Sequence, residues 1–403
     1  MARTDKIAYE NTGIGVYNTV WSIAGWSNDA YRQITLEKPA TGDLLTWLEA
    51  NAVRLPLEGT WVFNERLNGL AAGGDWDIAF TSNDNSYSKF IKSSDSISYG
   101  STMVYVIPSK ESPWINEAYR TITFTEPVQY QGNEEFVKWF TQNAKPLPAK
   151  GKTLNEYTWD EISRISLADK AVEYGFKVGD AKEVTLNGSV GYGSAARTFS
   201  NQKYWVYIIG INHNEAKEGK GIAFQGFKTA QSGGIDIAVT ATNYGSKGSG
   251  MVMNSTNTNS GGWVGSAAHK TIMPQWKACF PSDLQAVIRS TTLYADDVGN
   301  ASTAASSVKA SANEVYYLAE YEVFGSNHSA NTNEPAQQVQ YAYYAAGNSK
   351  VKYRSDSTNT AAIWWLRSTD RNATAGFCLV STDGSAYYYN AFGSYGSAPC
   401  FKV

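Results

Sequence analysis

Cysteine, histidine and charge are scarce in this chain, and each scarcity removes a class of chemistry. The three cysteines, Cys279, Cys378 and Cys400, have no metal-binding spacing and are too few for a disulfide framework. Cys378 and Cys400 flank a tyrosine-rich hairpin and could meet on neighbouring strands, yet buried free thiols are the expected state. The three histidines, His213, His269 and His328, lack the i, i+4 spacing of a metal-binding helix and read as surface residues. Charged residues make up 18% of the chain and the net charge is -3. No basic stripe is available, so no nucleic-acid partner is expected. No apolar run approaches the roughly 18 residues of a spanning helix, and Met1-Ala2-Arg3-Thr4-Asp5 starts polar, which predicts no membrane insertion and no signal peptide. Nucleophile elbows, phosphate loops and dinucleotide fingerprints are missing as well. The sequence thus predicts no enzyme, no catalytic residue, no cofactor and no metal.

What is present in quantity is aromatic and small polar text. Residues 1–150 contain an internal repeat: Trp26-Ser27-Asn28-Asp29-Ala30-Tyr31-Arg32 returns as Trp114-Ile115-Asn116-Glu117-Ala118-Tyr119-Arg120, and Leu55-Pro56 returns as Leu147-Pro148. Each copy reads as a strand, a proline-bearing turn and a short amphipathic helix. The stretch between the copies, Trp61 to Tyr99, is β-rich, with Trp76, Ile78 and Phe80 alternating with polar or small residues. Together these features define two repeat modules, 1–58 and 59–150, and a third domain, 151–403, that begins after the stiff, solvated linker Lys145 to Lys152.

Within the third domain, Trp159 to Tyr174 has helical periodicity, with Ile162 and Ile165 facing the core. Asn187-Gly188 is a hairpin signal, and Tyr204 to Gly210 is the strongest strand. Pro281 to Ile288 reads as a helix, and Val315 to Leu318 runs into Glu320 to Gly325, read as strand, which places Glu320 and Glu322 on one face. Paired carboxylates of that kind could flank a glycosidic bond, but a structural role satisfying neighbouring donors is expected. The Ser-, Asn- and Gly-rich passages Ala241 to Gly262 and Asn300 to Ala312 read as solvated surface loops.

The segment Ala361 to Val403 organises the rest. A stiff frame, Ile363-Trp364-Trp365-Leu366-Arg367-Ser368, leads to the strand Phe377 to Val380, the turn Asp383-Gly384, and then Ala386-Tyr387-Tyr388-Tyr389-Asn390-Ala391-Phe392-Gly393-Ser394-Tyr395. Tyrosine gives large contact area at low entropy cost while Ser, Asn and Gly adapt, which is the composition of a binding surface. An edge hairpin of an ordinary β domain has the same composition.

Trp159 to Ile162, Val178-Gly179-Asp180, Gly261-Gly262-Trp263, Glu320 to Gly325, Trp364 to Ser368 and Ala398-Pro399-Cys400-Phe401, in this order, resemble the C-type-lectin-fold (formylglycine-generating-enzyme-like) domains of prophage proteins and of diversity-generating retroelement variable proteins. The first 150 residues resemble small modules of prophage tail and baseplate proteins. The fold the resemblance implies is α+β, a C-terminal C-type-lectin-like domain preceded by small β-rich repeat modules with short helices. The function it implies is that of a phage or prophage receptor-binding tail-tip protein, localised in the virion after synthesis in the bacterial cytoplasm. Its hypervariable C-terminal face, within 361–403, would bind a bacterial cell-surface protein or glycan. Contact falls to Thr369, Asp370, Arg371, Ala373, Thr374, Tyr387, Tyr388, Tyr389, Asn390, Phe392, Ser394 and Tyr395, over buried Trp364, Trp365, Leu366, Phe377, Leu379 and Phe401, with Arg367 making a structural ion pair or carbonyl contacts beneath.

Other virion tail proteins would be engaged through residues 1–150, and a homotrimer would supply avidity. The alternative is a structural virion or baseplate component without a receptor site of its own. Two features of related folds are broken here. Glu334-Pro335-Ala336 departs from the calcium-binding Glu-Pro-Asn pattern at its third position, and Cys378 and Cys400, the candidates for the cysteine pair of formylglycine-generating enzymes, do not match that motif.

Overall fold

A computed structural model describes residues 147–403 with their side chains and, before them, the backbone of ten short strands. The chain divides into two compact units. One comprises Met1–Gly59, Asp75–Val106 and Thr123–Asn143, and the other Thr60–Gly74, Ile107–Ile122 and Ala144–Val403. In the first, Lys6–Tyr9, Thr12–Tyr17 and Gln33–Leu36 form an antiparallel meander, and Ser96–Tyr99 pairs with Thr102–Val106. The strand expected in each repeat copy is present, at Gln33–Leu36 and at Thr121–Val128. The two repeat helices and most of the modules 1–58 and 59–150 lie outside the described residues.

Residues 147–403 are an α+β assembly of antiparallel sheets and short helices. Helix α1 (Trp159–Leu167) starts where it does because Thr158 and Glu161 cap each other. The Thr158 hydroxyl accepts from Glu161 N–H at 3.2 Å, and the Glu161 carboxylate accepts from Thr158 N–H at 2.7 Å, which satisfies two of the donors a helix start leaves unpaired. Its apolar stripe, Trp159, Ile162 and Ile165, is buried as the periodicity requires.

There follow the hairpin β1 (Ala181–Val190) and β2 (Arg197–Ile211), the single turn α2 (Glu215–Glu218), β3 (Ile222–Lys228) and β4 (Ile237–Ala238). A long loop leads to α3 (Gly262–Gly265), a π turn at Ala268–Ile272, α4 (Met273–Cys279) and α5 (Ser282–Gln285). The hairpin β5 (Thr291–Asp296) and β6 (Val308–Asn313) precedes β7 (Val315–Tyr316), α6 (Glu320–Phe324), α7 (Ala342–Ala345), β8 (Lys352–Arg354) and β9 (Ser357–Ala362). The segment ends in β10 (Trp364–Thr369), β11 (Gly376–Val380), β12 (Ala386–Asn390) and β13 (Cys400–Lys402).

The main sheet has the order β1-β2-β3-β13-β7, antiparallel throughout, so β13 lies between β3 and β7. Its aromatic layer holds the core. Phe224 stacks on Phe401 with centroids 5.4 Å apart, and Trp159 meets Phe224 edge-on at 5.3 Å. Phe280 packs on Phe401, and Trp276 on Phe227. A second sheet, β10-β11-β12, carries the tail, and a third, β4-β8-β9, pairs β4 with β8 in parallel.

Four expectations change. Asn187-Gly188 does not turn the hairpin: pairing runs on to Val190 opposite Arg197, and the pair sits at a bulge between Leu186 and Gly188. Gly188 has φ +104°, and a Cβ there would lie 3.3 Å from the Cys279 sulfur, so the glycine serves a bulge and a close approach rather than a turn. Pro281 to Ile288 forms only the single turn α5. Glu320 to Gly325 is a helix, not a strand. Glu322 caps its start by accepting from Ala319 N–H at 2.9 Å, and Gly325 closes it in the left-handed region, so the alternation of Tyr321 and Val323 with glutamates was a capping pattern rather than a period of two. The Ala241 to Gly262 passage is not a solvated excursion, since Met251, Val252, Met253 and Asn259 in it are buried, and residues 308–313 of the other passage are β6.

Candidate functional site

The site begins with a strand that is buried on both faces. Every residue of β10 is buried, and its two indoles, the terminal nitrogens of Arg367 and the Ser368 hydroxyl all have partners, as burial demands. Trp364 and Trp365 donate their indole N–H groups to the carbonyls of Lys350 and Met251, at 2.9 and 2.8 Å. The Arg367 guanidinium grips the Glu322 carboxylate with both terminal nitrogens and donates to the Tyr317 carbonyl at 2.9 Å. The expected buried frame, Trp364, Trp365, Leu366, Phe377, Leu379 and Phe401, is therefore present, with Arg367 in a structural ion pair.

Against this frame lies β11, and outside β11 lies β12 with Gly376 opposite Asn390 and Leu379 opposite Tyr387. β12 is the edge of its sheet, and its successive residues Tyr387 to Asn390 are all exposed, so both of its faces reach solvent. Tyr387, Tyr388 and Tyr389 are 52%, 40% and 42% exposed. The Tyr387 and Tyr388 rings are stacked, 5.3 Å between centroids at 12°. From Tyr389 the aromatic contact continues inward to Tyr395 at 5.2 Å and from Tyr395 to Trp365 at 5.3 Å. A solvent-facing cluster of rings is thereby braced on the core, in edge and tilted geometries that aromatic pairs favour.

The sequence-predicted contact residues divide in two. Tyr387, Tyr388, Tyr389, Asn390 and Thr374 are exposed, and Arg371, Ala373 and Phe392 are partly so. Thr369, Asp370, Ser394 and Tyr395 are buried and belong to the frame. The Thr369 carbonyl accepts the Cys378 thiol. One Asp370 oxygen accepts from Asn372 N–H at 2.9 Å, closing the turn, and burial raises the Asp370 carboxyl above its ordinary range. Ser394 donates to the Asn243 side chain at 2.9 Å and receives Met251 N–H at 3.2 Å. Tyr395 is walled in by Trp365 and Tyr389, and burial raises its phenol as well.

Sequence reasoning missed the residue that fixes the loop between β10 and β11. Asn259, fully buried, points its amide at the carbonyls of Ala373 and Gly376, at 2.8 and 2.9 Å, with Asp370 at 3.4 Å. Its own N–H donates to the Thr374 carbonyl at 2.9 Å. Nearby, the N–H groups of Gly245, Gly248 and Met253 hold the carbonyls of Ser394, Phe392 and Ala391 at 2.7 to 2.9 Å. These restraints reach backbone atoms of the face, which leaves the side chains at 371, 373, 374 and 387–390 outside them. In the sequence, Asn259 was one asparagine among many in a polar passage, and nothing local marked it.

Residues 239–403 match a family described as a domain of unknown function, DUF6273. That match takes in the second sheet, the buried loop 241–262 and the tyrosine edge, and it leaves out α1 and β1 to β3. No curated protein and no solved structure matches the chain.

Elsewhere, the histidine reading needs correction. His328 is exposed and His269 half-buried, but His213 is 7% exposed, stacked on Tyr341 with centroids 3.5 Å apart. Burial lowers its imidazole to about 3, with Lys402 and Arg367 adding to the effect. All three cysteines are buried free thiols, as expected; Cys378 donates to Thr369 O and Cys400 to Ala398 O, each at 3.8 Å, and burial raises both well above the usual thiol range. Glu320 accepts the N–H groups of His328, Ser329 and Ala330 at 2.8 to 2.9 Å, the structural role foreseen for it. Among the described residues, no helix is long and apolar enough to cross a membrane.

Proposed function

We propose that this chain is a phage-type receptor-binding protein, in which residues 147–403 form a C-type-lectin-like domain and the tyrosine edge of β12 binds a protein or glycan on a bacterial surface. The observation that carries the reading is the contrast between β10, buried at every position, and Tyr387 to Tyr389, consecutive, exposed and braced through Tyr395 on Trp365. Aromatic side chains held out on a rigid strand offer contact area with little entropy left to lose. Backbone-directed restraint by Asn259 and by the 245–253 loop supports the idea that side chains on this face can be exchanged without loss of shape. The resemblance of the landmark motifs to prophage proteins supports the biological setting, in which residues 1–150 attach the domain to other tail proteins.

The test replaces Tyr387, Tyr388 and Tyr389 together by serine and measures binding of the full chain to host cells alongside its thermal unfolding. A loss of cell binding of tenfold or more at unchanged unfolding temperature is expected. Unchanged binding would overturn the assignment of the face. Failure of particle assembly by the triple variant, with cell binding by the free chain intact, would favour instead a structural virion component, whose β12 edge packs against a neighbouring subunit. An imperfect copy of the coding repeat, differing at adenines and lying beside a reverse-transcriptase gene, would tie the face to diversification.

A further inference from the structure

Beneath the frame, three side chains from three separate elements converge. His213 follows β2, Glu218 ends α2 and Glu322 lies on α6, and one ligating atom from each lies within 4.8 Å of the others. All three side chains are essentially dry: those of His213 and Glu218 are 4% and 2% exposed, and that of Glu322 1%. His213 Nε2 faces Glu218 Oε1 at 3.6 Å, beyond hydrogen-bond reach. Neither His213 Nε2 nor Glu218 Oε2 has a hydrogen-bond partner, although buried polar atoms are almost always satisfied.

We propose that His213, Glu218 and Glu322 form a site for one zinc-type divalent cation. Imidazole nitrogen beside two carboxylates suits zinc and similar transition ions and not calcium or magnesium, which take oxygen. Ligands at about 2.1 Å from a tetrahedral ion lie about 3.4 Å apart. The His213–Glu218 pair is already near that spacing, and the widest separation must close by up to about 1.4 Å. Glu322 can serve although Arg367 holds it, since Oε2 accepts from Ala319 N–H and Arg367, and Oε1 accepts only from Arg367; a carboxylate oxygen has a second lone pair to give.

Arg367 then stands behind a ligand as an orienting partner, an arrangement common around metal centres. Its positive charge is matched by the carboxylate it grips. Lys402 donates to the carbonyls of Glu218 and Gly219 and is the charge the ion must tolerate. The ion would tie the end of β2 to α6 and, through Arg367, to β10.

Full-length protein is stripped with a chelator, dialysed against micromolar zinc, manganese or calcium in turn, and assayed for bound metal and for unfolding temperature. One zinc per chain is expected, with a rise in unfolding temperature and no calcium uptake. His213→Gln and the near-isosteric Glu218→Gln should each weaken zinc binding by tenfold or more, while His328→Gln, which removes an exposed imidazole, should leave it intact. Zinc uptake below one per chain in the wild type, or zinc binding by Glu218→Gln equal to the wild type, overturns the proposal. Zinc binding lost in His328→Gln does so as well.

Discussion

At the scale of single residues, position decides far more than type. Tyr388 and Trp365 are both aromatic, but one is on a solvent-facing edge and the other fills the core with its N–H bonded to Met251 O. Tyr388→Ser should therefore shift stability by no more than about 0.5 kcal/mol, as surface changes do. Arg367 is the opposite case. With Glu322 it forms an ion pair sealed from water, and removing one partner strands the other charge, which costs about 3–5 kcal/mol. Arg367→Met alone should show that loss in urea denaturation, and Arg367→Met with Glu322→Gln should recover part of it, since no uncompensated charge then remains.

At the scale of elements, the loop between β10 and β11 depends on one side chain borrowed from another loop. Asn259→Ala removes the side-chain donor of the Ala373 carbonyl and one of the two donors of the Gly376 carbonyl, which keeps Asp370 N–H, and a carbonyl stripped of its partner costs about 1–3 kcal/mol. Amide exchange in 370–376 should accelerate in this variant while exchange in the β1–β2 hairpin stays slow, because opening is local.

This loop also marks where the sequence stops being legible. Period and capping disclosed α1, the β2 strand and the buried Trp364-Trp365-Leu366 frame, since each depends on neighbours within a few positions. Exposure of Tyr387 to Tyr389 followed from the same local text. Burial of Asp370 and Ser394 did not, because it is imposed by residues over a hundred positions away, Asn259 and Asn243. The same holds for His213, whose stacking partner Tyr341 comes from a distant stretch.

At the scale of the whole domain, the core contains carboxyl groups that prefer to be neutral. Burial raises Glu334 to about 7, against hydrogen bonds from Ser368, Gln338 and the Asp296 N–H that favour its charged form, and burial raises the less enclosed Asp297 to about 6. A carboxyl whose folded value lies above its unfolded one binds its proton more tightly in the native state. Its stabilisation is complete below about pH 4.3 and is lost as pH rises through the folded value. Stability contributed by Glu334 should therefore fall between about pH 4.5 and pH 7, by at most about 1.4 kcal/mol per pH unit. Chelator-treated Glu334→Gln protein should show a flatter profile of unfolding midpoint against pH over that interval.

The place of β13 in the main sheet bears on how such a domain is made. Ala223 pairs with Lys402 and Val315 with Phe401, so the inner seam joins segments remote along the chain, whereas β1 and β2 zip through a short turn. Local hairpins form in microseconds, but a seam of high contact order waits on a slow, entropically costly search. Until that search succeeds, β3 presents an unpaired apolar rim, Ile222-Ala223-Phe224, of the kind that nucleates misassembly between chains. Yield on refolding should thus be governed by chain concentration during this interval rather than by the stability of the finished domain.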